Sequence, residues 1–428
     1  MSASYPIRPI TPAEFGSFLH VNQHAFHHGP PAQTAQAAIM SRLEWDRTLV
    51  AYDPELDIPV GITLAYSFEL TVPGAIAPAA GVSWVSVLPS HRRRGILTAL
   101  MRRQLSDVAE RGEPLAVLWA TEAGIYGRYG YGRASWHLTY EMRRGEGAVL
   151  GVPAGLRTRL ISPEDARPEL AKVYDLVRKS RPGFFARNTH WWDRALSDPE
   201  QERNGASPLF CVLAEDDQGP RGYALYSGTE RWEDGPFLPA FKLEVRELIA
   251  ADAAASATLW QDLLSRDLVT IYRAALRPVD DPLLFQLADP RRVRPAIADG
   301  LWVRLVNVPA ALSGRRYACA VDMVIEVHDP LFPGNAGRWR LHTANSDSAS
   351  PDSASPDSTG GFAASCERTA DPAALSLDIT ELGAAYLGGT RLSALAAAGL
   401  VTEHRPDAIR QLSAAMSWDP APWCPVIF

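Results

Sequence analysis

The sequence predicts an α/β chain with mixed sheets, made of two copies of one α/β unit followed by a third, α+β unit. Three observations carry this. Short apolar segments with strand character alternate with marked helix starts through the first 300 residues. The opening pattern then recurs: Ile161-Ser162-Pro163-Glu164-Asp165 repeats Ile10-Thr11-Pro12-Ala13-Glu14, and Val212 to Tyr226 echoes Val50 to Tyr66. From about Leu301 the pattern changes again. A chain of 428 residues is also too long for one hydrophobic core. The boundaries read as 1–145, 146–300 and 301–428.

In the first copy, a strand at Tyr5 to Ile10 precedes Thr11-Pro12-Ala13-Glu14. That tetrapeptide sets a capping hydroxyl, Pro at the first helical position, and a carboxylate that reaches back, so a helix should run to about Phe26. Strands follow at Thr48 to Tyr52, Val60 to Leu70 and Gly81 to Val87. A helix from Ile96 to about Arg111, a buried strand at Leu115 to Ala120 and a closing strand at Trp136 to Met142 complete the unit.

The second copy keeps the helix start at Ser162-Pro163 and the paired strands around a Pro-x-Gly turn. After its strand at Leu243 to Ile249 it reads AADAAASATLW, where the first copy has an arginine-rich loop with a glycine. One cofactor site per chain is therefore expected. In the last third, Leu301 to Val308, Tyr317 to Val327 and Leu375 to Ile379 read as strands. Ala384 to Leu400 and Asp407 to Trp418 read as helices. Residues 345–361 hold two tandem SASPD units, a composition that buries almost nothing and predicts a disordered loop.

Composition narrows the function classes. An apolar fraction of 46% is that of an ordinary globular protein. No run of about 18 apolar residues suggests a membrane span, and the N-terminus lacks the pattern of a signal peptide, so a cytoplasmic protein without membrane partners is expected. The formal charge of −7 disfavours nucleic acid and suits a cationic substrate. Cys211, Cys319, Cys366 and Cys424 are scattered and read as reduced thiols. His20, His24, His27 and His28 lie on the first helix, the first three on one face, but no second group of ligands stands out; they read as a polar face near a substrate mouth, and no metal site is expected.

The chemistry concentrates in Val85-Ser86-Val87-Leu88-Pro89-Ser90-His91-Arg92-Arg93-Arg94-Gly95-Ile96-Leu97-Thr98. A strand runs into a basic turn that opens a helix. Exposed N–H groups and the positive dipole end make such a helix start a site for a diphosphate. Gly95 permits close approach, and the arginines add charge that can engage phosphate in pairs of bonds. Downstream lies Gly124-Ile125-Tyr126-Gly127-Arg128-Tyr129-Gly130-Tyr131.

The first segment resembles the coenzyme A-binding motif of the GNAT superfamily, Arg/Gln-x-x-Gly-x-Gly/Ala, here Arg92-x-x-Gly95-x-Leu97 without the final small residue. The second resembles the Phe-Tyr-x-x-x-Gly-Phe segment that follows the fifth strand in that superfamily, with Tyr126 on its tyrosine. The whole chain resembles the Eis (enhanced intracellular survival) acetyltransferases of actinobacteria, specifically over residues 1–145 and in architecture beyond. The resemblance implies two tandem GNAT-like units, the second degenerate, then a C-terminal domain like sterol carrier proteins, assembled as a homohexamer. It implies an acetyl-coenzyme A site at Val85, Ser86, Val87, Arg93, Arg94, Gly95, Ile96, Leu97, Thr98, Thr121 and Glu122. It also implies Tyr126 as general acid, the carboxylate of Phe428 as base, and an aminoglycoside or a lysine side chain as the amine acceptor.

Physical chemistry is consistent with those roles. A phenol has an ordinary pKa of about 10, close to that of a thiol, so Tyr126 can protonate a departing sulfur. A carboxylate of pKa about 3.5 can still accept a proton from an amine made acidic by its attack on a carbonyl. Glu122 is an alternative base. Ile427, beside Phe428, supplies no further carboxylate for a polycation. Tyr129 and Tyr131 read as packing residues. A rival from another class is a non-catalytic carrier that senses coenzyme A and holds an apolar ligand in its third domain.

Overall fold

Local signals at Thr11 and Ser162 start helices as their side chains dictate. The Glu14 carboxylate accepts from the Thr11 N–H at 2.9 Å, and the Ser162 hydroxyl accepts from the Asp165 N–H at 3.1 Å. The structure, a computed structural model, describes residues 5–152, 155–233, 235, 237–343 and 360–428. Residues 345–359 of the expected disordered loop lie outside the described residues. Two compact units result: Met1–Ala134 with Leu301–Trp418 and Ile427–Phe428, and Ser135–Gly300 with Asp419–Val426.

The first unit begins with β1 (Ile7–Arg8), α1 (Phe15–Phe26), α2 (Gln33–Met40), β2 (Thr48–Tyr52), β3 (Pro59–Val72) and β4 (Ala75–Val87). It continues through α3 (Ile96–Glu110), β5 (Leu115–Trp119), α4 (Ala123–Tyr126) and β6 (Gly132–Arg133). The second unit contains β7 (Trp136–Arg143), β8 (Arg157–Ile161), α5 (Pro163–Arg178), α6 (Thr189–Leu196), β9 (Phe210–Asp216) and β10 (Gly219–Thr229). It ends with β11 (Phe241–Ala250), α7 (Ala253–Leu264), β12 (Val269–Pro278), α8 (Leu283–Gln286) and β13 (Ala296–Asp299). The first unit resumes with β14 (Leu301–Leu305), α9 (Val308–Ser313), β15 (Asp322–His328), β16 (Gly337–Thr343), β17 (Ala364–Arg368) and β18 (Leu375–Asp378). Its last elements are α10 (Ile379–Ala385), α11 (Leu392–Ala397), β19 (Val401–Glu403) and α12 (Ala408–Met416).

The first sheet runs β1-β2-β3-β4-β5-β14-β6. β3 and β4 form a long hairpin, and β4 to β5 is a parallel step crossed by α3. α3 buries Leu100, Met101, Leu105 and Val108 against the sheet at the helical spacing that predicts such a face. The strand read as closing this unit, Trp136–Met142, instead pairs with β12 and β13 in the second sheet. The place beside β5 is taken by β14, pairing Leu301 with Trp119 through Leu305 with Leu115. Both strands are apolar enough for either berth, so local pattern alone does not choose between them.

The second sheet runs β13-β7-β12-β11-β10-β9-β8, the third β17-β16-β15-β18-β19. The helix read at Ala384–Leu400 is broken into α10 and α11 around Gly388, whose φ of +88° no helical residue adopts. Within the second unit, Trp423 packs edge-on against Phe184 at 5.2 Å and donates from Nε1 to the Leu276 carbonyl at 2.6 Å.

Candidate active site

The basic turn leaves β4 through one 3-10 turn at Pro89–His91 and enters α3 at Ile96. Two residues of this turn have left-handed backbone, Arg93 at φ +62° and Gly95 at φ +83°. The first helical hydrogen bond is Ala99 N–H to Gly95 O at 3.0 Å, so the N–H groups of residues 96–98 precede it. A Cβ placed on Gly95 would meet nothing within 4 Å, so the space above these amides is open. The turn is held from below: His91 is buried, with Nε2 3.1 Å from Asp53 Oδ2 and Nδ1 2.9 Å from Ser90 Oγ. Asp53 in turn accepts from the N–H groups of Glu55 and Leu56, and these bonds hold its carboxyl below the usual range.

A groove of about 320 Å³ lies along this turn. Val85, Ser86, Val87, Arg93, Gly95, Ile96, Leu97, Thr98, Glu122 and Tyr126 line it. Arg94 is exposed but does not line it, and Arg92 does. Thr121 lies instead in a neighbouring cavity of about 630 Å³.

That cavity exists because two strands part. β4 pairs with β5 only from Ala79–Leu115 to Gly81–Val117. The residues that follow on each strand, Val82 to Val85 and Leu118 to Thr121, become cavity walls. On its other edge β4 carries a bulge: Ser83 opposes Leu64 while Ser86 opposes Ile62, so three steps on β4 match two on β3. Within the bulge Trp84 adopts φ +56°, a left-handed conformation unusual for a bulky side chain. Its carbonyl accepts from Ser86 Oγ (3.1 Å), Ser86 Oγ accepts from Asn22 Nδ2 (3.3 Å), and Asn22 Oδ1 lies 3.0 Å from His28 Nε2.

Tyr126, at the end of α4, lines both the groove and the cavity, as Val85 and Phe26 also do. It is 8% exposed. Burial first, then the Glu122 carboxylate and Tyr129, pushes its pKa up to about 12, so the phenol keeps its proton at any ordinary pH. Tyr129 ties the same turn to α3 through a 3.2 Å contact between its hydroxyl and Thr98 Oγ1. From the third domain, Thr380 Oγ1 on α10 donates to the Gly127 carbonyl at 3.1 Å. Gly132 completes this seat, because a Cβ there would stand 1.9 Å from the Thr380 carbonyl oxygen.

Phe428 reaches the cavity from the far end of the sequence. Its main-chain oxygen accepts from Ser83 Oγ at 2.9 Å, and its ring stands edge-on to Phe68 with centroids 4.9 Å apart. Glu122 is exposed and lines the groove, whereas Phe428 lines the cavity. Tyr131 is fully buried in the core beside Tyr126, their ring centroids 6.1 Å apart.

The second copy closes the corresponding helix start with its own side chain. Asp252 Oδ1 accepts from the Ala255 N–H at 2.8 Å and Oδ2 from Arg221 Nη2 at 2.5 Å. A carboxylate thus occupies the position where the first copy leaves open amides. Among the described residues no cluster of three or more His, Cys, Asp or Glu side chains could hold a metal ion.

Residues 6–134 match the family model of an acetyltransferase (GNAT) domain, residues 183–305 a second acetyltransferase (GNAT) domain, and residues 308–425 a sterol carrier protein domain. The N-acetyltransferase Eis of Mycobacterium tuberculosis is 35% identical over 371 residues, 84% of this chain and 83% of its relative. This chain belongs to the Eis family of GNAT N-acetyltransferases. The crystal structure of Eis1 from Mycobacterium abscessus superposes with a TM-score of 0.79 at 33% identity, covering 99% of this chain and 100% of the other. An uncharacterized N-acetyltransferase of Streptomyces coelicolor is 45% identical over 385 residues, 89% of this chain and 87% of its own length. As an Eis-family member the chain is an N-acetyltransferase, and GNAT acetyltransferases use acetyl-coenzyme A. No helix among the described residues is long and apolar enough to cross a membrane.

Sequence reasoning missed Asn22, Ser83, Trp84, Trp119 and Arg128, all of which line the groove or the cavity. A bulge leaves no mark in the apolar pattern. Asn22 is a polar side chain on α1 whose burial, 7% exposed, shows only in the folded chain.

Proposed function

We propose that this chain transfers acetyl from acetyl-coenzyme A to a primary amine by direct attack in a ternary complex. The observation that carries this is the place of Tyr126, whose side chain borders both the groove at the helix start and the cavity between the parted strands. A thioester lying from one to the other would pass its hydroxyl.

In this reading the amides opening α3, with Arg92 and Arg93, hold the diphosphate. The edge of β4 from Val85 to Val87, released from β5, offers main-chain groups to the pantetheine arm and the thioester carbonyl. The amine nitrogen bonds to the acetyl carbon as the carbon–sulfur bond breaks. Tyr126 gives its proton to the sulfur, and the carboxylate of Phe428 takes the proton lost by the nitrogen. None of the four cysteines lines either cavity, which supports attack without an acyl-enzyme.

The acceptors implied by the family resemblance are aminoglycoside amines and lysine side chains. The same reading includes a homohexamer. Supporting it, Phe210, Trp232, Phe237, Phe285 and Ile297 of the second unit are exposed large apolar side chains. The test is release of free thiol from acetyl-coenzyme A against a panel of aminoglycosides, polyamines, lysine peptides and simple amines. Thiol release with an amine-dependent rate is expected; a blank panel with acetyl-coenzyme A bound would overturn the proposal.

A further inference from the structure

We infer that Arg304 is a positioning residue for Tyr126: its buried guanidinium, held by Asp329, is the seat against which the turn carrying the phenol closes. The inference rests on the acetyl-transfer reading above, in which Tyr126 protonates the sulfur.

β14 reads Leu301-Trp302-Val303-Arg304-Leu305, four apolar residues and one cation. The side chains of Arg304 and Asp329 are both 0% exposed, and Arg304 Nη2 donates to Asp329 Oδ2 at 2.6 Å. Taking both charges out of water is costly, so stability alone is a weak reason for such a pair. The two partners are also satisfied unequally. Asp329 Oδ1 accepts from the N–H groups of Leu331 and Phe332, both at 3.1 Å, and Oδ2 accepts from Asn335 Nδ2 at 3.1 Å. Arg304 Nε and Nη1, by contrast, are buried with no hydrogen-bond partner among the described residues. Buried donors are nearly always paired, so this free edge needs a reason. The saturated aspartate holds the arginine, and the arginine turns its other edge elsewhere.

That edge meets the Tyr126 turn. A Cβ on Gly130 would stand 2.1 Å from Arg304 Nη1, so the guanidinium lies directly against the glycine backbone. Gly130 has φ +80° and ends the 3-10 turn Gly127–Tyr129, its N–H donating to the Gly127 carbonyl at 2.9 Å. The next N–H, that of Tyr131, donates to the Tyr126 carbonyl at 3.3 Å, and the two rings stand 6.1 Å apart at 74°. The Tyr131 hydroxyl is buried without a partner among the described residues. Burial pushes its pKa up, and Arg304 is the charge that opposes the shift. The guanidinium therefore fixes Gly130, and Gly130 with Tyr131 closes the loop on Tyr126. A phenol displaced by a fraction of an ångström loses rate, whereas the amides that receive the diphosphate belong to α3 and stay in place.

Arg304→Lys keeps a cation for Asp329 but removes the planar edge against Gly130. In the full chain, thiol release from acetyl-coenzyme A should show kcat lowered about tenfold, with KM for acetyl-coenzyme A within about a factor of two. In a Tyr126→Phe chain the same change should lower the residual kcat by no more than about twofold, because the hydroxyl being positioned is already gone. Gly130→Ala, which drives a methyl group at Nη1, should give the same split and the same non-additivity, and it decides the matter if Arg304→Lys does not fold. Unchanged kcat in either folded variant overturns the inference, as does a loss that multiplies in full with that of Tyr126→Phe. Full kcat in Tyr126→Phe itself, or no thiol release by the unaltered chain, overturns the underlying acetyl-transfer reading instead, and the inference falls with it.

Discussion

The Ser83 hydroxyl donates a 2.9 Å hydrogen bond to the main-chain oxygen of Phe428, joining residues 345 positions apart. Ser83 sits two residues beyond Gly81, where β4 and β5 cease to pair. Gly81 itself has no Cβ, and one placed there would stand 2.1 Å from the Phe68 ring. Phe68 therefore lies flat over the strand and presents its ring to Phe428. The parting of the strands, the small residue before it and the docked chain end form one local arrangement.

If the Phe428 carboxylate is the proton acceptor, adding one alanine after Phe428 removes it from that position. Turnover should fall by about 100-fold, the range assigned to a lost general base, with the acetyl-coenzyme A dissociation constant unchanged. Steady-state kinetics and calorimetry on the extended chain check this. Normal turnover would remove Phe428 from the mechanism.

Tyr126→Phe should lower kcat by about 100-fold while sparing acetyl-coenzyme A binding. The same residue has a stability signature. Its pKa is about 12 in the folded chain and about 10 when unfolded, so below pH 10 both states hold the proton and it contributes no pH dependence. Between pH 10 and 12 the unfolded state loses the proton first, so stability falls as pH rises. Urea unfolding across that window should show Tyr126→Phe losing less stability than the unaltered chain, by up to about 2–3 kcal/mol. Identical alkaline slopes would show that burial does not hold the Tyr126 proton as described.

Gly95→Ala isolates the helix start. The space beside Gly95 is open, so the only penalty is a left-handed backbone for a residue with a Cβ, about 1 kcal/mol. Relaxation of that turn should raise KM for acetyl-coenzyme A about fivefold and leave kcat within a factor of two. An unchanged KM would mean that the amides after Gly95 do not bind the diphosphate.

Thr380→Val removes the hydrogen bond from α10 to the Gly127 carbonyl beside Tyr126. The shape is nearly kept, so the expected effect is a severalfold loss of kcat with KM for acetyl-coenzyme A retained. This bond makes the third domain part of the seat of the Tyr126 turn. Equal kcat in the variant would show that the seat does not depend on this bond.

Signals that act within a few residues were legible in the sequence. The helix starts at Thr11 and Ser162, the strand–arginine–glycine–helix order from Val85 to Thr98, and the loss of that device before Ala253 all stand in the structure. Choices made between distant partners were not. Trp136 to Met142 and Leu301 to Val308 each read as strands, yet which sheet each joins depends on neighbours more than 100 residues away. The bulge at Trp84 was hidden for a different reason, since an extra residue in one strand changes pairing without changing composition. His28 and Asn22 became site residues only when α1 was laid across the end of β4.

The most direct test is a crystal structure of the chain with coenzyme A. The account predicts the diphosphate on the N–H groups of residues 96–98, flanked by Arg92 and Arg93, and the sulfur within hydrogen-bonding reach of the Tyr126 hydroxyl. A cofactor bound elsewhere, or a sulfur remote from Tyr126 with the mouth of α3 empty, would contradict it.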